Sequence, residues 1–177
     1  MKIIAFAGSN STTSINKQLV TYAANLLDIE GVKILDLNDY YIPTFSIDIE
    51  KNEGFPEDVK EFYDLVQQAD VILLSFSEHN ADFTAVFKSY MDWCSRIDYK
   101  FLTDKKTFAM STSPGGYGGK NALSAGSKLI TKFGANILEE FSLPKFNDNF
   151  ADGKIINEEF NQELIGKIGS FKQKLFI

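Results

Sequence analysis

The sequence predicts a doubly wound α/β domain, in which a parallel sheet carries helices on both faces. Five short β-favouring runs alternate with five helical patterns along the 177 residues, and no repeat or linker interrupts them. The third of these runs, residues 71–76, contains no polar alternation, as is typical of a strand covered on both faces. Parallel strands joined in this way need right-handed crossovers. We therefore expect one domain over residues 1–177.

The N-terminal part of the chain predicts a strand, a loop and a helix. Residues 2–7 are apolar and β-favouring and end at Gly8. A helix is expected to begin near Ser14, because apolar residues recur at helical spacing from Ile15 to about residue 29. Gly31 then stops it.

The middle of the chain predicts two further strands and a helix between them. Residues 32–37 form the second strand, and the polar, aromatic-rich stretch 38–54 is predicted as an irregular connection, too long for a plain linker. Pro56 suits the first turn of a helix that runs to about residue 69. The aliphatic run 71–76 is the third strand.

The C-terminal half predicts three helices and two strands. Its helices show apolar residues at helical spacing and its strands are short apolar runs; in order these are helix 85–97, strand 105–112, helix 122–133, strand 135–141 and helix 158–175. Residues 143–156 carry no period and are predicted to be irregular.

Composition limits the classes of function. A content of 44% hydrophobic and 14% aromatic residues supports one large core. The single cysteine, Cys94, excludes intrachain disulfides and two-cysteine metal or redox motifs, and one histidine argues against a histidine-built zinc site. A formal charge of −6 disfavours nucleic acid and anionic membrane as partners. With no apolar run near the roughly 20 residues that span a bilayer, we expect a cytoplasmic protein.

The loop after the first strand has the features of a phosphate site. Residues 9–14 offer five hydroxyls and one amide directly before a helix start, where unpaired N–H groups and the positive end of the helix dipole favour an anion. An ordinary capped turn that binds nothing is the alternative. Since the loop has neither G-x-x-x-x-G-K-[ST] nor G-x-G-x-x-G, a phosphate monoester is expected rather than a triphosphate or a dinucleotide.

Two more loops follow the third and fourth strands, at the same edge of the predicted sheet. Residues 115–119 include four glycines, which would let the backbone lie against a flat ring and present N–H groups to its carbonyl oxygens; a flexible connection is the alternative. In the other loop, Glu78 and His79 invite an acid/base interpretation. Adjacent side chains diverge, so we favour contact of the backbone and the Asn80 amide with a heterocycle.

The helix at 85–97 is apolar on more than one side, which predicts a second cover such as another subunit. Lys88 and Asp92 stand in the less favourable order for an intrahelical pair, and we expect them to pair across that interface. Cys94, in the middle of this helix, is interpreted as a small buried residue rather than a nucleophile.

The three loops together resemble the NADPH-dependent FMN reductase family. Its motif G-S-x-R-x-x-S-x-N is matched by Gly8, Ser9, Ser14 and Asn16, with Ser11 in place of arginine. Its motif P-E-Y-N with L-K-x-x-x-D-W is matched by Glu78, Asn80, Lys88, Asp92 and Trp93, with Ser77 and His79 in place of proline and tyrosine. Its motif S-x-G-G-x-G-G is matched by Ser113, Gly115, Gly116, Gly118 and Gly119.

The resemblance implies a flavodoxin-like fold with strand order 2-1-3-4-5 and a bound FMN. It implies that hydride passes from NADPH or NADH to the flavin and that electrons then pass to a quinone, azo, metal or flavin acceptor in a ping-pong cycle, with no catalytic side chain. It also implies a homodimer or homotetramer with flavins at subunit interfaces. The residues it places at the cofactor are Ser9, Ser11, Ser14, Ile15, Asn16, Ser77, Glu78, His79, Asn80, Ser113, Gly115, Gly116, Tyr117 and Gly118.

Two alternatives stay open at this point. One is an FMN electron carrier that serves protein partners without using a nicotinamide. The other is a protein of this fold that has lost the flavin, which the missing arginine makes conceivable.

Overall fold

The computed structural model describes residues 1–176 and has the predicted three layers. In chain order its elements are β1 (Ile3–Ala7), α1 (Ile15–Leu27), β2 (Lys33–Ile34), α2 (Ile47–Glu53), α3 (Glu57–Gln68), β3 (Val71–His79), β4 (Asp82–Phe83), α4 (Ala85–Ile97), β5 (Lys106–Thr112), α5 (Lys120–Lys132), β6 (Asn136–Leu143), α6 (Phe146–Asn149), β7 (Phe150–Ala151), β8 (Lys154–Ile155) and α7 (Glu158–Leu175).

Five parallel strands form the central sheet in the order β2-β1-β3-β5-β6, which is the predicted order 2-1-3-4-5 once the short β4 is set aside. The chain winds outward from β1 in both directions, so the carboxyl ends of β1 and β3 flank the point where the winding reverses. Ligands bind at such a point in sheets of this kind.

Two apolar cores lie on the two faces of the sheet. Alternation along β1 divides its side chains between them, since Ile4 and Phe6 face one core and Ile3 and Ala5 face the other. The first core is closed by α3, α4 and α5, and the second by α1 and α7. Burial on both faces is the reason why the central strands appear in the sequence as continuous apolar runs.

Three stretches of the chain were predicted wrongly from the sequence. Helix α2 lies in the stretch predicted as irregular, and it has no buried residue, so it leaves no apolar stripe to detect. Strand β2 is only two residues long, because Asp36 accepts a hydrogen bond from the Asn38 N–H at 3.0 Å and starts a 3-10 turn. The stretch 143–156, also predicted as irregular, contains α6 and the β7–β8 hairpin.

Strand β3 continues past its predicted end at residue 76. It runs to His79 and returns as β4 through Asn80 and Ala81, whose φ values of 53° and 64° are those of a two-residue hairpin turn. Alanine is an unusual residue at positive φ, which hid this turn from sequence reasoning. The segment predicted as a loop is therefore a short, rigid hairpin.

Other parts of the same chain cover the apolar surface of α4. The centre of the Trp93 ring lies 5.0 Å from the ring centre of Phe45 and 5.9 Å from that of Phe55. Its Nε1–H donates to the Pro43 carbonyl at 2.8 Å. The Tyr90 hydroxyl donates to the Leu37 carbonyl at 2.7 Å. The feature that suggested a partner subunit thus has an intrachain explanation, and oligomerisation stays a prediction.

The expected pairing of Lys88 and Asp92 across an interface is wrong for this structure. The Lys88 ammonium lies 2.7 Å from an Asp92 carboxylate oxygen on the same helix. The less favourable order weakens such a pair but does not prevent it, since residues four apart on a helix are neighbours.

The helices of residues 1–176 include none with both the length and the apolarity needed to cross a lipid bilayer.

Candidate functional site

Three loops meet at the carboxyl ends of β1, β3 and β5 and enclose a cleft of about 270 Å³. This convergence was predicted from the winding of the sheet. The cleft is lined by Ser9, Ser11, Thr13, Ser14, Ile15, Asn16, Ser77, Glu78, His79, Thr112, Ser113 and Pro114. Nine of the residues predicted to bind the cofactor are in this lining: Ser9, Ser11, Ser14, Ile15, Asn16, Ser77, Glu78, His79 and Ser113.

The hydroxyl loop, residues 9–14, is held in shape by its own side chains. The Ser11 N–H donates to Ser9 Oγ at 3.1 Å, the Thr13 N–H donates to Ser11 Oγ at 3.3 Å, and Ser14 caps α1 by accepting from the Lys17 N–H at 3.2 Å. Helix geometry leaves the N–H groups of Ile15 and Asn16 without acceptors inside α1. These donors and the surrounding hydroxyls lie at the positive end of the helix dipole, an arrangement that suits an anion.

Asn16 links the first turn of α1 to two strands, β3 and β5. Its Oδ1 accepts from the Ser75 hydroxyl at 2.7 Å and from the Thr112 N–H at 2.9 Å, and its Nδ2 donates to the Thr112 carbonyl at 3.1 Å. The side chain is buried, with 3% of its surface exposed. Both acceptor positions of Oδ1 and one N–H of Nδ2 are therefore used within the protein, and the backbone N–H of Asn16 is available for a ligand.

Thr84 links the start of α4 to the end of β1. Its hydroxyl donates to the Gly8 carbonyl at 2.7 Å and accepts from the Phe87 N–H at 3.2 Å, so it caps α4 and anchors the start of the hydroxyl loop. Sequence reasoning missed this residue. Threonine directly before an apolar helical pattern is an N-cap signal that could have identified it.

Ser77 has a hydroxyl without a partner. Its Oγ is buried and makes no hydrogen bond to any residue that the structure describes, although the residue lines the cleft. An unpaired buried hydroxyl costs about 1–3 kcal/mol. A ligand with a hydrogen-bonding edge in the cleft would remove that cost.

The Glu78 carboxylate caps helix α5. Its Oε2 accepts from the Ala122 N–H at 3.1 Å, in the first turn of α5, whose own N-cap residue, Gly119, has no side chain to do so. The carboxylate therefore stabilises the helix that follows the glycine loop. His79 and Asn80 are exposed, and Asn80 is not part of the cleft lining.

Glu78→Gln is expected to lower the free energy of unfolding by about 1 kcal/mol, because an amide oxygen is a weaker acceptor than a carboxylate and adds no charge at the positive helix end. Urea denaturation measures the change. Glu61→Gln is the matched control, since Glu61 is exposed on α3. Equal stability of both variants would contradict the capping role.

The glycine loop, residues 113–119, divides into two parts. Gly118 and Gly119 have φ values of 67° and 73°, and a Cβ at Gly118 would lie 2.4 Å from Ser142 Oγ, so the fold itself requires these glycines. At Gly115 and Gly116 an added Cβ would meet only Ser113 Oγ at 3.8 Å and Lys145 Cε at 3.9 Å. Nothing in the protein requires glycine there.

The residues of the glycine loop that were predicted to bind the cofactor do not all line the cleft. Ser113 lines the cleft, whereas Gly115, Gly116, Tyr117 and Gly118 do not. Tyr117 lines a separate groove on the far side of the loop. The predicted contact of these four residues with a cofactor stays a prediction.

The cleft has little charge of its own. Its lining in the described chain includes no lysine or arginine. The nearby ammonium of Lys17 pairs with Asp36 beside the hydroxyl loop. Burial raises the pKa of Asp36, but hydrogen bonds from Lys17 and Asn38 outweigh it, so that pKa lies below its usual value.

Cys94 is fully buried in α4, and burial raises the pKa of its thiol to about 12. Full burial confirms that Cys94 is a core residue, and a protonated thiol is a poor nucleophile. Residues 1–176 also contain no group of three or more His, Cys, Asp or Glu side chains that could hold a metal ion.

The sequence of this chain resembles those of known proteins. The model of the family described as NADPH-dependent FMN reductase matches residues 1–148. An NAD(P)H:quinone oxidoreductase from Solanum tuberosum is 27% identical over 174 residues, covering 93% of this chain and 87% of the relative. An NADPH:quinone oxidoreductase from Arabidopsis thaliana is 31% identical over 121 residues, covering 67% of this chain and 61% of the relative.

Solved structures confirm the fold. The flavoenzyme NAD(P)H:(acceptor) oxidoreductase FerB from Paracoccus denitrificans superposes with a TM-score of 0.80 at 22% identity, covering 99% of this chain and 98% of that one. A match at this identity concerns the architecture alone.

Proposed function

Because the chain belongs to the NADPH-dependent FMN reductase family, we propose that it binds FMN in the cleft and uses NADPH or NADH to reduce a small-molecule acceptor in a ping-pong cycle. Quinones are the first acceptors to test, since the potato and Arabidopsis relatives are named for them. Azo compounds, metal oxyanions and free flavin come next. When bound there, FMN would supply the redox chemistry, which is hydride transfer from the nicotinamide followed by electron transfer to the acceptor.

The observation that carries this proposal is the unpaired Ser77 hydroxyl. It is buried in a cleft that is otherwise lined by hydroxyls, backbone and few charges. Buried polar atoms in proteins are nearly always satisfied, so an exception at a cleft points to a ligand. A flat heteroaromatic ring with carbonyl and ring-nitrogen edges suits that hydroxyl.

The phosphate of FMN is proposed to bind the hydroxyl loop. The N–H groups of Ile15 and Asn16 and the hydroxyls of Ser9, Ser11 and Thr13 are the available donors. The ring would then lie between the β3–β4 hairpin and the glycine loop. The lack of any protein reason for glycine at 115 and 116 supports this position, because a Cβ there would face an added ring instead of the protein.

The chain's own contribution to the reaction is binding and orientation. The proposed site needs no catalytic side chain. We expect backbone N–H groups of the glycine loop to donate to negative charge on the ring. Thr84 and Asn16 hold the loops at fixed separation, which keeps these donors in position.

Stopped-flow absorbance tests the proposal. Purified protein with one equivalent of FMN is mixed anaerobically with NADPH or NADH, and the flavin absorbance near 450 nm should bleach and then recover on addition of a quinone. A flavin that binds but is reduced only by dithionite would favour the electron carrier. Failure to bind FMN would favour the fold without flavin.

Two further expectations stay predictions. Sedimentation velocity would test the homodimer or homotetramer through the α4 region, and fractionation would test the cytoplasmic location.

Ser11→Arg is expected to tighten FMN binding roughly tenfold to hundredfold, because a hydrogen bond to a charged partner contributes about 1.5–3 kcal/mol. The arginine would bring a charge to a loop that has none. Fluorescence titration with FMN measures the change.

Two controls separate a phosphate contact from general attraction. Riboflavin, which lacks the phosphate, should bind the variant and the parent equally. Asn10→Arg adds the same charge to the adjacent exposed position and should gain less. Unchanged or weaker FMN binding by Ser11→Arg would contradict the placement of the phosphate.

A further inference from the structure

One lysine borders the space over the glycine loop. In the part of the chain that the structure describes, a Cβ added at Gly116 would meet a single atom within 4 Å beyond its chain neighbours, which is Lys145 Cε at 3.9 Å. The space over Gly116 is otherwise open. A ligand that covers Gly116 would therefore lie beside the end of the Lys145 side chain.

The backbone of Lys145 is held against the glycine loop. Its N–H donates to the Gly115 carbonyl at 2.9 Å, and the N–H of Phe146 donates to the Ser113 carbonyl at 3.0 Å. From the other side, Nδ2 of the buried Asn149 donates to the Lys145 carbonyl at 3.3 Å. Because both of its backbone polar groups are bonded, the lysine is kept beside the loop.

The conformation of Lys145 is unusual for its residue type. Its φ and ψ values of 46° and 57° lie in the left-handed region, which glycine and asparagine adopt with less strain than lysine. The side chain is exposed, so packing in the core does not explain why a lysine stands there. An uncommon backbone conformation at the border of a candidate site points to a role for the side chain.

The Lys145 ammonium has no carboxylate partner. Within residues 1–176 it forms no ion pair, although the chain has 24 acidic and only 18 basic residues. Asp148 is the acidic residue nearest to it in the sequence, and the two do not pair. The lining of the cleft contains no lysine or arginine of its own. Lys145 is therefore a positive charge available to a ligand over the glycine loop.

Reduction of a bound flavin creates a negative charge that a nearby cation stabilises. Hydride transfer brings two electrons and one proton to the ring and releases the nicotinamide in its oxidised form, so the ring gains one negative charge. That charge is shared by N1 and the C2 carbonyl oxygen until a second proton binds. A cation beside the ring favours the reduced form over the oxidised form, which raises the midpoint potential of the flavin.

From these observations we infer that the Lys145 ammonium stabilises the reduced flavin and so raises its midpoint potential. This role rests on the proposed function, because it needs FMN bound with its ring against Gly116. Lys145 then adds a full charge to the partial charges of the backbone N–H groups that we expect the glycine loop to present.

The midpoint potential of the FMN-loaded protein tests this role. Lys145→Met removes the charge and keeps an unbranched side chain. Since water screens an exposed charge, we expect the preference for reduced over oxidised flavin to fall roughly tenfold, which lies between the limits for two charges in water and at a protein surface. For a two-electron couple this lowers the potential by about 30 mV. Titration with dithionite beside a reference dye measures it.

Three variants serve as controls. Lys145→Asn removes the same charge and suits a positive φ, so it should lower the potential as Lys145→Met does. Lys145→Arg keeps the charge and should keep the parent's potential. Lys132→Met removes one charge from the exposed last residue of α5, roughly 18 Å along that helix from the glycine loop, and should also leave the potential unchanged.

Two results would overturn the role of Lys145 in reduction. One is a potential of Lys145→Met equal to the parent's, and the other is an equal loss in Lys132→Met, which would be an effect of net charge alone. Fluorescence titration with oxidised FMN adds a separate check. Affinity for oxidised FMN should change less than about threefold in Lys145→Met, because the oxidised ring carries no charge. A larger loss would assign the lysine to binding instead.

Reduction by dithionite separates this role from the proposed activity, since no nicotinamide takes part. A potential that depends on Lys145, in a protein whose flavin neither NADPH nor NADH reduces, would refute the proposed activity and keep the role of the lysine. Reduction by a nicotinamide together with a potential indifferent to Lys145 would do the reverse. A protein that binds no FMN would overturn both.

Discussion

Asn16→Ala is expected to lower the free energy of unfolding by about 3 kcal/mol and to weaken FMN binding at least tenfold. The change removes three buried hydrogen bonds and leaves the Ser75 hydroxyl and the Thr112 N–H without an acceptor. Each buried group left unsatisfied costs about 1–3 kcal/mol. The start of α1, which follows the hydroxyl loop, would then lose its side-chain link to β3 and to the end of β5.

The two effects of Asn16→Ala are measured separately. Urea denaturation of the apoprotein gives the stability, and fluorescence titration gives the FMN affinity. Asn25→Ala is the matched control on the same helix, because Asn25 is exposed and alanine is the better helix former. If the free energy of unfolding of Asn16→Ala lay within about 0.5 kcal/mol of the parent's, roughly the range of an ordinary surface change, the structural role of Asn16 would be refuted.

Gly126→Ala is expected to destabilise the protein by about 3 kcal/mol, at the upper end of what overpacking a core usually costs. A Cβ at Gly126 would lie 2.3 Å from Cε1 and 2.4 Å from Cδ1 of Phe76. The Phe76 ring has no free side to move into, since it is fully buried and packs edge-on against Phe87 with centroids 5.2 Å apart. Helix α5 would have to lift from β3.

Thermal denaturation should show the melting temperature of Gly126→Ala reduced by roughly 6–12 °C, given about 2–4 °C per kcal/mol for a chain of this size. Gly169→Ala is the control with the opposite sign. Gly169 is exposed in α7 with nothing within 4 Å of an added Cβ, so alanine there should stabilise by up to about 1 kcal/mol. Equal shifts in both variants would show that α5 does not depend on this close approach.

The elements that sequence reasoning located well are those with a strong apolar period. Helix α4 and helix α7 were predicted with their observed bounds, because one face of each is buried and leaves an apolar period in the sequence. Helix α2 has no buried face, and the β3–β4 turn uses Ala81 at positive φ. Neither leaves a signal in the sequence.

The location of the cleft was predictable for a similar reason. The loops that follow β1, β3 and β5 must meet at one edge of a parallel sheet, whatever their detailed conformation. What each side chain does there was not predictable. Glu78 and Asn16 both looked like cofactor ligands, and the structure engages both side chains in holding the protein together.

By itself, then, the sequence determined the layers, the strand order with help from the family likeness, and the rim on which the three loops lie. These features depend on the spacing of apolar residues and on the length of the connections, which are local properties of the sequence. Only the tertiary structure decided that Asn16 joins Ser75 and Thr112, that Glu78 caps a helix 44 residues away, and that Ser77 is left unpaired. Hydrogen-bond partners are chosen by distances of a few tenths of an ångström between residues far apart in the chain, and no local pattern encodes those distances.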